Sequence, residues 1–289
     1  LRIVWQPAVV GQYYPRFAAP LCLLLNRTYP VWLMAVFACI ASFIISILIL
    51  FNVTEHSDIY YALGGWQAPI GIALHIDELS AYLLLIVSGL STVVICASKA
   101  SIEQELNRAK PYLFYVLFLL CLSGMLGIIA SGDVFNVFIF IEISALSSYA
   151  LIALGRDRRA LSAAFNYLLV GTLGATFILI GIGLMYMATG TLNMQDLFVR
   201  LAEQQDSRTL LTAFCFFIVG VCLKLALFPL HWWLPRAYAF APSIVSTFLA
   251  ATATKVAIYI LLRFVFSVFG QAFSFAVVPL QDILLTLGV

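Results

Sequence analysis

Residues 31–51 form an unbroken apolar run, VWLMAVFACIASFIISILILF, without a charged side chain. As a helix, a run of this length crosses the roughly 30 Å hydrocarbon core of a bilayer. Similar runs follow at about 79–98, 112–131, 134–154, 160–188, 209–230, 243–263 and, incompletely, 272–289. Charged residues make up only 10% of the 289 positions, against roughly 25% in soluble proteins. The sequence therefore predicts an all-α polytopic membrane protein with about eight transmembrane helices, the last one incomplete.

The basic residues of the short loops predict the orientation of these helices. With residue 30 placed in the cytoplasm, ten Lys and Arg residues fall on the inner side: Arg2, Arg16, Arg27, Lys99, Arg108, Lys110, Arg156, Arg158, Arg159 and Arg236. Only Arg200, Arg208 and Arg263 fall on the outer side. Because positive loops stay in the cytoplasm, residues 1–30 are predicted to lie on the cytoplasmic side.

The first 30 residues differ from the rest of the chain. Arg16 and Arg27 bracket the run FAAPLCLLLN, which is too short to span a bilayer by itself. We interpret residues 1–30 as the remnant of a truncated first helix with a cytoplasmic segment, and residues 31–289 as a transmembrane domain.

Several classes of function are disfavoured by composition and spacing. The net charge of +2 is small, and no basic tract is interleaved with aromatic residues, as a nucleic-acid partner would require. The cysteines lack the C-x-x-C spacing, and His56 and His75 lack a further ligand at metal-binding spacing. No serine lies in a nucleophile-elbow context. We therefore predict no bound metal or cofactor, and a transport function in preference to an enzymatic one.

Three ionisable residues fall near the middle of predicted spans: Glu142, Lys224 and Lys255. A charge at the centre of a membrane helix costs about 2.5–3.5 kcal/mol, so such residues persist mainly where they face a partner or water. Glu142 lies nine residues after Asp133, roughly 13 Å along its helix. We interpret it as a proton-transferring group; the alternative is a neutral acid in a hydrogen bond between helices.

Lys224 lies sixteen residues after Arg208 and five before Pro229. Pro229 cannot donate to the carbonyl of Leu225, so the helix is predicted to kink or break one residue beyond the lysine. Irregular backbone at membrane depth needs a hydrated cavity, and ion-translocating proteins place broken helices beside buried charges. The alternative is a lysine that extends its side chain to the interface.

Lys255 follows Pro242 by thirteen residues, roughly 19 Å along a helix. The hydroxyls of Thr247, Thr252 and Thr254 surround it in sequence and are able to hold water or bond to the backbone. They are equally consistent with ordinary helix packing.

A carboxylate beside a buried ammonium favours the charged form of the amine, while desolvation disfavours it. Glu142 and Lys224 are therefore predicted to form a pair whose protonation states change together. His231, in the segment PLHWW, is suited to relay protons to Lys255 or to the surface. The alternative is a residue of the interfacial aromatic belt, beside Trp232 and Trp233.

Two small-x-x-x-small pairs, Ser123 with Gly127 and Gly171 with Ala175, predict close approach of transmembrane helices. We assign them to packing and give them no chemical role.

Three stretches resemble the D subunit of the multisubunit Mrp-type Na+/H+ antiporters: SGDVFNVFIFIEISALSSYALIALG, TGTLNMQDL and KLALFPLHWWLPRAYAFAPSIVSTFLAATATKVAIYILLRF. This family is related to the antiporter-like, proton-pumping subunits of respiratory complex I. The resemblance covers roughly residues 60–289. It implies a proton-translocating subunit of a hetero-oligomeric Na+ or other monovalent cation/proton antiporter in a bacterial inner membrane.

The resemblance also implies a fold of about fourteen helices with two inverted five-helix repeats, each containing a broken helix. The first repeat would cover about 112–263, and the second is missing after Val289. Glu142, Lys224, Lys255 and His231 match the family's proton-translocating residues. Arg236 and Tyr238 depart from the acidic and histidine positions usual in complex I relatives, and the tyrosine favours the antiporter's D subunit.

Two rival functions remain. The chain is alternatively the proton-pumping membrane subunit of complex I or of a membrane-bound hydrogenase. Since no haem, flavin or iron–sulfur motif occurs in it, redox centres would then lie on partner subunits. A truncated and inactive scaffold is the third possibility.

Overall fold

A computed structural model of the protein describes residues 14–25, 28–106, 111–204 and 207–288. Within these ranges the chain is almost entirely helical, and its helices are α1 Tyr14–Leu25, α2 Thr28–His56, α3 Glu78–Glu105, α4 Pro111–Ala130, α5 Val134–Ala153, α6 Arg158–Thr189, α7 Met194–Ala202, α8 Arg208–Leu225, α9 Trp233–Phe240, α10 Ser243–Arg263 and α11 Leu280–Gly288. Two π-helical segments, Phe264–Val268 and Ala272–Val277, follow α10.

Seven helices of the described chain are long and apolar enough to cross a membrane: α2, α3, α4, α5, α6, α8 and α10 with its π-helical extension. They match the first seven predicted spans, except that the sixth, predicted at about 209–230, ends at Leu225. The incomplete eighth span was predicted at 272–289, and its described residues, 272–288, form two short helical segments separated at Val278 and Pro279. The predicted class, an all-α polytopic membrane protein, is confirmed. Residues 1–13, 26 and 27 lie outside the described chain, so the interpretation of residues 1–30 as a helix remnant stays a prediction.

A β-hairpin lies between α2 and α3 and was not predicted. Its strands, β1 Ile59–Ala62 and β2 Ala73–Ile76, pair antiparallel with Ile59 opposite Ile76. A ten-residue connection joins the strands without the two-residue Asn-Gly or Asp-Gly turn that marks a hairpin in a sequence. The hairpin was missed because it lacks this signal.

The hairpin joins the other loops at one end of the bundle, which we call the outer end. Leu74 forms an isolated β-bridge with Ser131, and Asp133 forms another with Asn193. The amide of Gly132 also donates to the carbonyl of Ala73 at 2.9 Å. Three of the loops that the sequence places outside therefore meet, as the predicted alternation of spans requires.

At the opposite, inner end, α3 caps the start of α10. The carboxylate of Glu105 accepts a hydrogen bond from the Ser243 amide at 2.9 Å and another from the Ser243 hydroxyl. This contact satisfies an amide that would otherwise be unpaired at the helix N-terminus, where a negative charge is also favourable. It holds α10 against α3 at the inner end.

Glycines bring α6 and α8 into close contact along their length. A Cβ atom on Gly220 would lie 2.6 Å from the carbonyl oxygen of Gly174, and one on Gly181 would lie 2.9 Å from that of Ala213. Gly127 of α4, one of the small residues predicted to allow close helix approach, lies against α5, since a Cβ on it would overlap the ring of Phe140. Small residues therefore set the spacing of the helices that carry the site.

We expect Gly220→Ala to lower the free energy of unfolding by about 1–3 kcal/mol, because the added methyl group overpacks the contact between α6 and α8. Gly183→Ala on α6 is the matched control, since nothing lies within 4 Å of a Cβ at that position. Thermal unfolding of the two purified variants in detergent measures the difference. Equal unfolding midpoints of the two variants would contradict the prediction, because they would show that α6 and α8 move apart without loss of stability.

Candidate functional site

The break after α8 places Lys224 in the last turn of a helix that ends inside the transmembrane region. The helix stops at Leu225, Ala226 adopts a left-handed conformation with φ 59°, and a turn leads to α9 at Trp233. The predicted break near Lys224 and Pro229 is confirmed. The C-terminal end of a helix carries partial negative charge, which favours a cation in its last turn.

Glu142 on α5 forms an ion pair with Lys224 on α8. The Nζ atom donates to the Oε1 atom at 3.4 Å, and the two residues are 82 positions apart in the sequence. The side chain of Lys224 is 10% exposed and that of Glu142 is 26% exposed. The structure therefore brings together the two ionisable residues that the sequence predicted to act as a pair.

Tyr149 is a member of this site that sequence reasoning missed. Its hydroxyl lies 3.5 Å from the Nζ atom of Lys224, and the residue is buried. It follows Glu142 by seven positions, so both side chains lie on the same face of α5. That spacing was the available signal, but a tyrosine in an apolar helix is ordinary core until its partner is known.

An aromatic column connects Tyr149 to the helix break. The Tyr149 ring makes an edge-to-face contact with the Tyr167 ring, with 4.6 Å between the ring centroids. Tyr167 in turn stacks on Trp233, with 4.0 Å between centroids. The indole of Trp233 donates a hydrogen bond to the carbonyl of Leu223 at 3.1 Å. Trp233, the first residue of α9, thereby satisfies a carbonyl next to Lys224 and ties α9 to the end of α8.

A cavity of about 50 Å³ adjoins Lys224. Its polar lining comes from Lys224, Tyr167, Ser144 and Ser148, and α4 and α10 contribute apolar side chains such as Val256. One water needs roughly 10–15 Å³ of such space and two to four polar partners. The cavity therefore has room for a few waters beside the Lys224 side chain, and proton transfer requires such a hydrated environment.

Lys255 does not join the pair. It lies on the exposed face of α10, and its Nζ atom donates to the carbonyl of Ala250 at 2.6 Å. The residues that α10 turns toward the cavity are Ala253, Val256, Ala257 and Ile260. The hydroxyls of two of the neighbouring threonines bond to carbonyls of their own helix, Thr247 to Ser243 and Thr252 to Phe248.

His231 lies in the turn between α8 and α9, where it is exposed. Its imidazole ring lies beside the Phe228 ring, with 5.6 Å between the ring centroids. This position, close in sequence to the helix break, is compatible with both proposed roles of the residue, and its part in proton transfer stays a prediction.

A second buried polar cluster lies at the outer end of α10 and was also missed. Arg263 donates two hydrogen bonds to the carboxylate of Asp77, at 2.7 and 2.8 Å, and one to the hydroxyl of Ser80 at 2.7 Å. Its guanidinium also donates to the hydroxyl of Tyr259, which in turn donates to the carbonyl of Ile129. The sequence predicted only that Arg263 lies on the outer side. Its contact with Asp77 was missed because no local pattern pairs residues 186 positions apart.

The family described as NADH:quinone oxidoreductase/Mrp antiporter, TM, matches residues 131–288, more than half of the chain. The chain belongs to this family. The matched segment contains both members of the Glu142 and Lys224 pair, the broken helix between α8 and α9, and Lys255. The resemblance drawn from the sequence is thereby confirmed.

Relatives within this family belong to two kinds of complex. The N subunit of the NADH-quinone oxidoreductase of Desulforudis audaxviator is 43% identical over 208 residues, covering 72% of this chain and 41% of the relative. The D subunit of the Na(+)/H(+) antiporter of Alkalihalophilus pseudofirmus is 32% identical over 227 residues, covering 78% of this chain and 45% of the relative. The chain thus spans less than half the length of each of these relatives.

Among solved structures, the archaeal membrane-bound sulfane sulfur reductase, a respiratory membrane complex, contains a similar chain. It superposes with a TM-score of 0.88 at 28% sequence identity, covering 98% of this chain and 57% of that chain. The helix arrangement described above is therefore that of an antiporter-like membrane subunit, of which this chain covers about half.

Proposed function

We propose that this chain is the proton-carrying part of a subunit of a multisubunit monovalent cation/proton antiporter. The observation that carries the proposal is the ion pair between Glu142 and Lys224, which lies at the broken end of a transmembrane helix beside a cavity large enough for water. A purely structural pair needs neither the break nor the cavity, whereas a proton-transferring pair needs both.

In this mechanism the charge on Glu142 decides whether Lys224 keeps its proton. When a proton binds the carboxylate of Glu142, the carboxyl group becomes neutral and the ammonium of Lys224 loses its counter-charge. A buried ammonium without a counter-charge is costly, so Lys224 gives a proton to water in the cavity and becomes a neutral amine. Loss of the proton from Glu142 restores the carboxylate and draws a proton back to Lys224.

Lys255 is proposed to receive protons that cross α10 from the cavity. Its ammonium lies on the exposed face of a transmembrane helix, where contact with lipid would be costly. In a subunit about twice as long, further helices are available to cover this face. His231, in the turn at the inner end of the break, is proposed to exchange protons with the cytoplasmic side.

The proposed partners are protons, Na+ or another monovalent cation, and the other subunits of a hetero-oligomeric complex in a bacterial inner membrane. The 32% identity to the D subunit of an antiporter and Tyr238 in the segment after the break support this assignment. No cofactor is assigned to this chain, and cation transport is the proposed activity of the whole complex.

A second candidate function is the proton-pumping membrane subunit of a redox-driven complex. The 43% identity to the N subunit of an NADH-quinone oxidoreductase and the structural likeness to the sulfane sulfur reductase complex favour it. The same pair would then move protons in response to electron transfer on partner subunits. Proton movement driven by an imposed Na+ or K+ gradient supports the antiporter, and movement that requires an electron donor supports the redox complex.

We expect Glu142→Gln to reduce proton movement at least ~10-fold, because an amide cannot bind and release the proton that switches Lys224. The measurement uses everted vesicles that contain the full-length subunit in its complex, with a pH-sensitive dye that reports cation-dependent dequenching. Glu55→Gln is the matched control, since this carboxylate is exposed at the end of α2. Wild-type exchange in a normally assembled Glu142→Gln complex would rule out the mechanism.

A further inference from the structure

We infer that the Tyr149 hydroxyl is a positioning group for Lys224, the second acceptor that keeps the ammonium in place while Glu142 is protonated. This inference rests on the proposed proton transfer between Glu142 and Lys224. It adds a third member to the site and gives it a role that neither charged residue can fill.

The geometry gives the ammonium two acceptors on one helix. The Nζ atom lies 3.4 Å from Oε1 of Glu142 and 3.5 Å from the hydroxyl oxygen of Tyr149. An ammonium group has three protons, so it can donate to both acceptors at once. Glu142 loses its charge when it binds a proton, whereas the phenol oxygen accepts a hydrogen bond in either state.

The Tyr149 hydroxyl is held in place by its surroundings. A Cβ atom at Gly171 would overlap this hydroxyl oxygen, so the hydroxyl occupies space that only glycine leaves open. The ring is fixed by its edge-to-face contact with Tyr167, which stacks on Trp233. Gly171, assigned to helix packing from the sequence, therefore makes room for a polar group of the site.

The Tyr149 hydroxyl holds the ammonium of Lys224 at the stage when Glu142 carries no charge. When Glu142 is neutral, its carboxyl group offers the ammonium only a weaker, uncharged hydrogen bond. Without a second acceptor, the ammonium is then held less firmly at the cavity before it gives up its proton. The other ionisable or polar groups that line the cavity are Tyr167 on α6 and the hydroxyls of Ser144 and Ser148 on α5, while α4 and α10 contribute apolar side chains. Each of the two serine hydroxyls donates to a carbonyl of its own helix.

The first test is Tyr149→Phe in the full-length subunit within its complex. The ring and its contact with Tyr167 are kept, and only the hydroxyl is lost. Because this acceptor stabilises the charged form of Lys224, we expect the pH at half-maximal exchange to move by ~0.5–1 unit toward acid. Exchange in everted vesicles is measured over a pH series and normalised to the amount of assembled complex.

The second test moves the hydroxyl without removing it. Gly171→Ala inserts a methyl group where the hydroxyl lies, so it is expected to shift the pH profile in the same direction as Tyr149→Phe. Gly183→Ala on the same helix is the matched control, because a Cβ there meets nothing within 4 Å, and its profile should equal that of the wild type.

The outcomes separate this inference from the proposed function. An unchanged pH profile in Tyr149→Phe, or a lower rate without a shift, overturns the role of Tyr149 when Glu142→Gln is inactive. If Glu142→Gln also exchanges protons normally, the proposed function itself fails. A shift in Tyr149→Phe and Gly171→Ala, absent in Gly183→Ala, supports the inference.

Discussion

Replacing Lys224 by arginine is expected to reduce proton exchange at least ~100-fold although it keeps the positive charge. A guanidinium remains protonated at any pH a protein meets, so it can pair with Glu142 but cannot release a proton to the cavity. Lys224→Ala should be equally inactive because it removes the carrier. Exchange is measured as cation-dependent dequenching of a pH dye in everted vesicles that contain the complete complex.

Lys224→Arg and Lys224→Ala together show whether Lys224 carries protons or only neutralises the charge of Glu142. If Lys224 only neutralised Glu142, arginine would preserve exchange and alanine would abolish it. Near-wild-type exchange in Lys224→Arg would therefore contradict the mechanism. Lys99→Arg provides the control for the substitution itself, since Lys99 lies over the rings of Tyr29 and Trp32 and outside the site.

Breaking the pair between Arg263 and Asp77 is expected to lower the free energy of unfolding by about 3–5 kcal/mol. Arg263→Met leaves the Asp77 carboxylate without its bidentate partner, and Asp77→Asn leaves the buried guanidinium without a counter-charge. Thermal unfolding of the purified full-length subunit in detergent measures the loss. The Asp196 and Arg200 pair, a more exposed pair four residues apart on α7, is the control, and Asp196→Asn should cost less than ~1 kcal/mol.

The double variant Asp77→Asn with Arg263→Met tests whether the cost comes from an unpaired buried charge. We expect the double variant to be more stable than Arg263→Met alone, because no uncompensated charge remains. Strictly additive losses would show that the two residues act independently and that the bidentate contact contributes no coupling.

The same cluster predicts how stability depends on pH. Burial raises the pKa of Asp77, but hydrogen bonds from Arg263 and Ser80 outweigh it and hold the pKa well below its usual range. A carboxyl group whose pKa is lower in the folded state contributes stability that is fully present above its unfolded pKa of about 3.9. That contribution is lost as pH falls below this value. The wild type should therefore lose more stability on acidification than Asp77→Asn does.

At α10 the sequence predicts the ends of the helix but not its rotation. Its bounds were predicted to the residue, and Lys255 was placed at its centre, but the helix turns that lysine outward and buries Arg263 at its end. α10 is apolar around most of its circumference, so no hydrophobic face indicated which side packs inward. The rotation of the helix depends on its contacts with α3, α4 and α8, most of which lie far away in sequence.

The sequence by itself determined the features that depend on a short stretch of chain. The spans follow from the length of apolar runs, and the break after Lys224 follows from the missing amide hydrogen of Pro229. The tertiary structure alone decided that Tyr149 joins the predicted pair of Glu142 and Lys224, and that Lys255 does not. Glu142, Tyr149 and Lys224 converge because glycines let α6 approach α8 and leave room for a hydroxyl. Such contacts depend on the rotation and spacing of packed helices, which the hydropathy of any single helix does not encode.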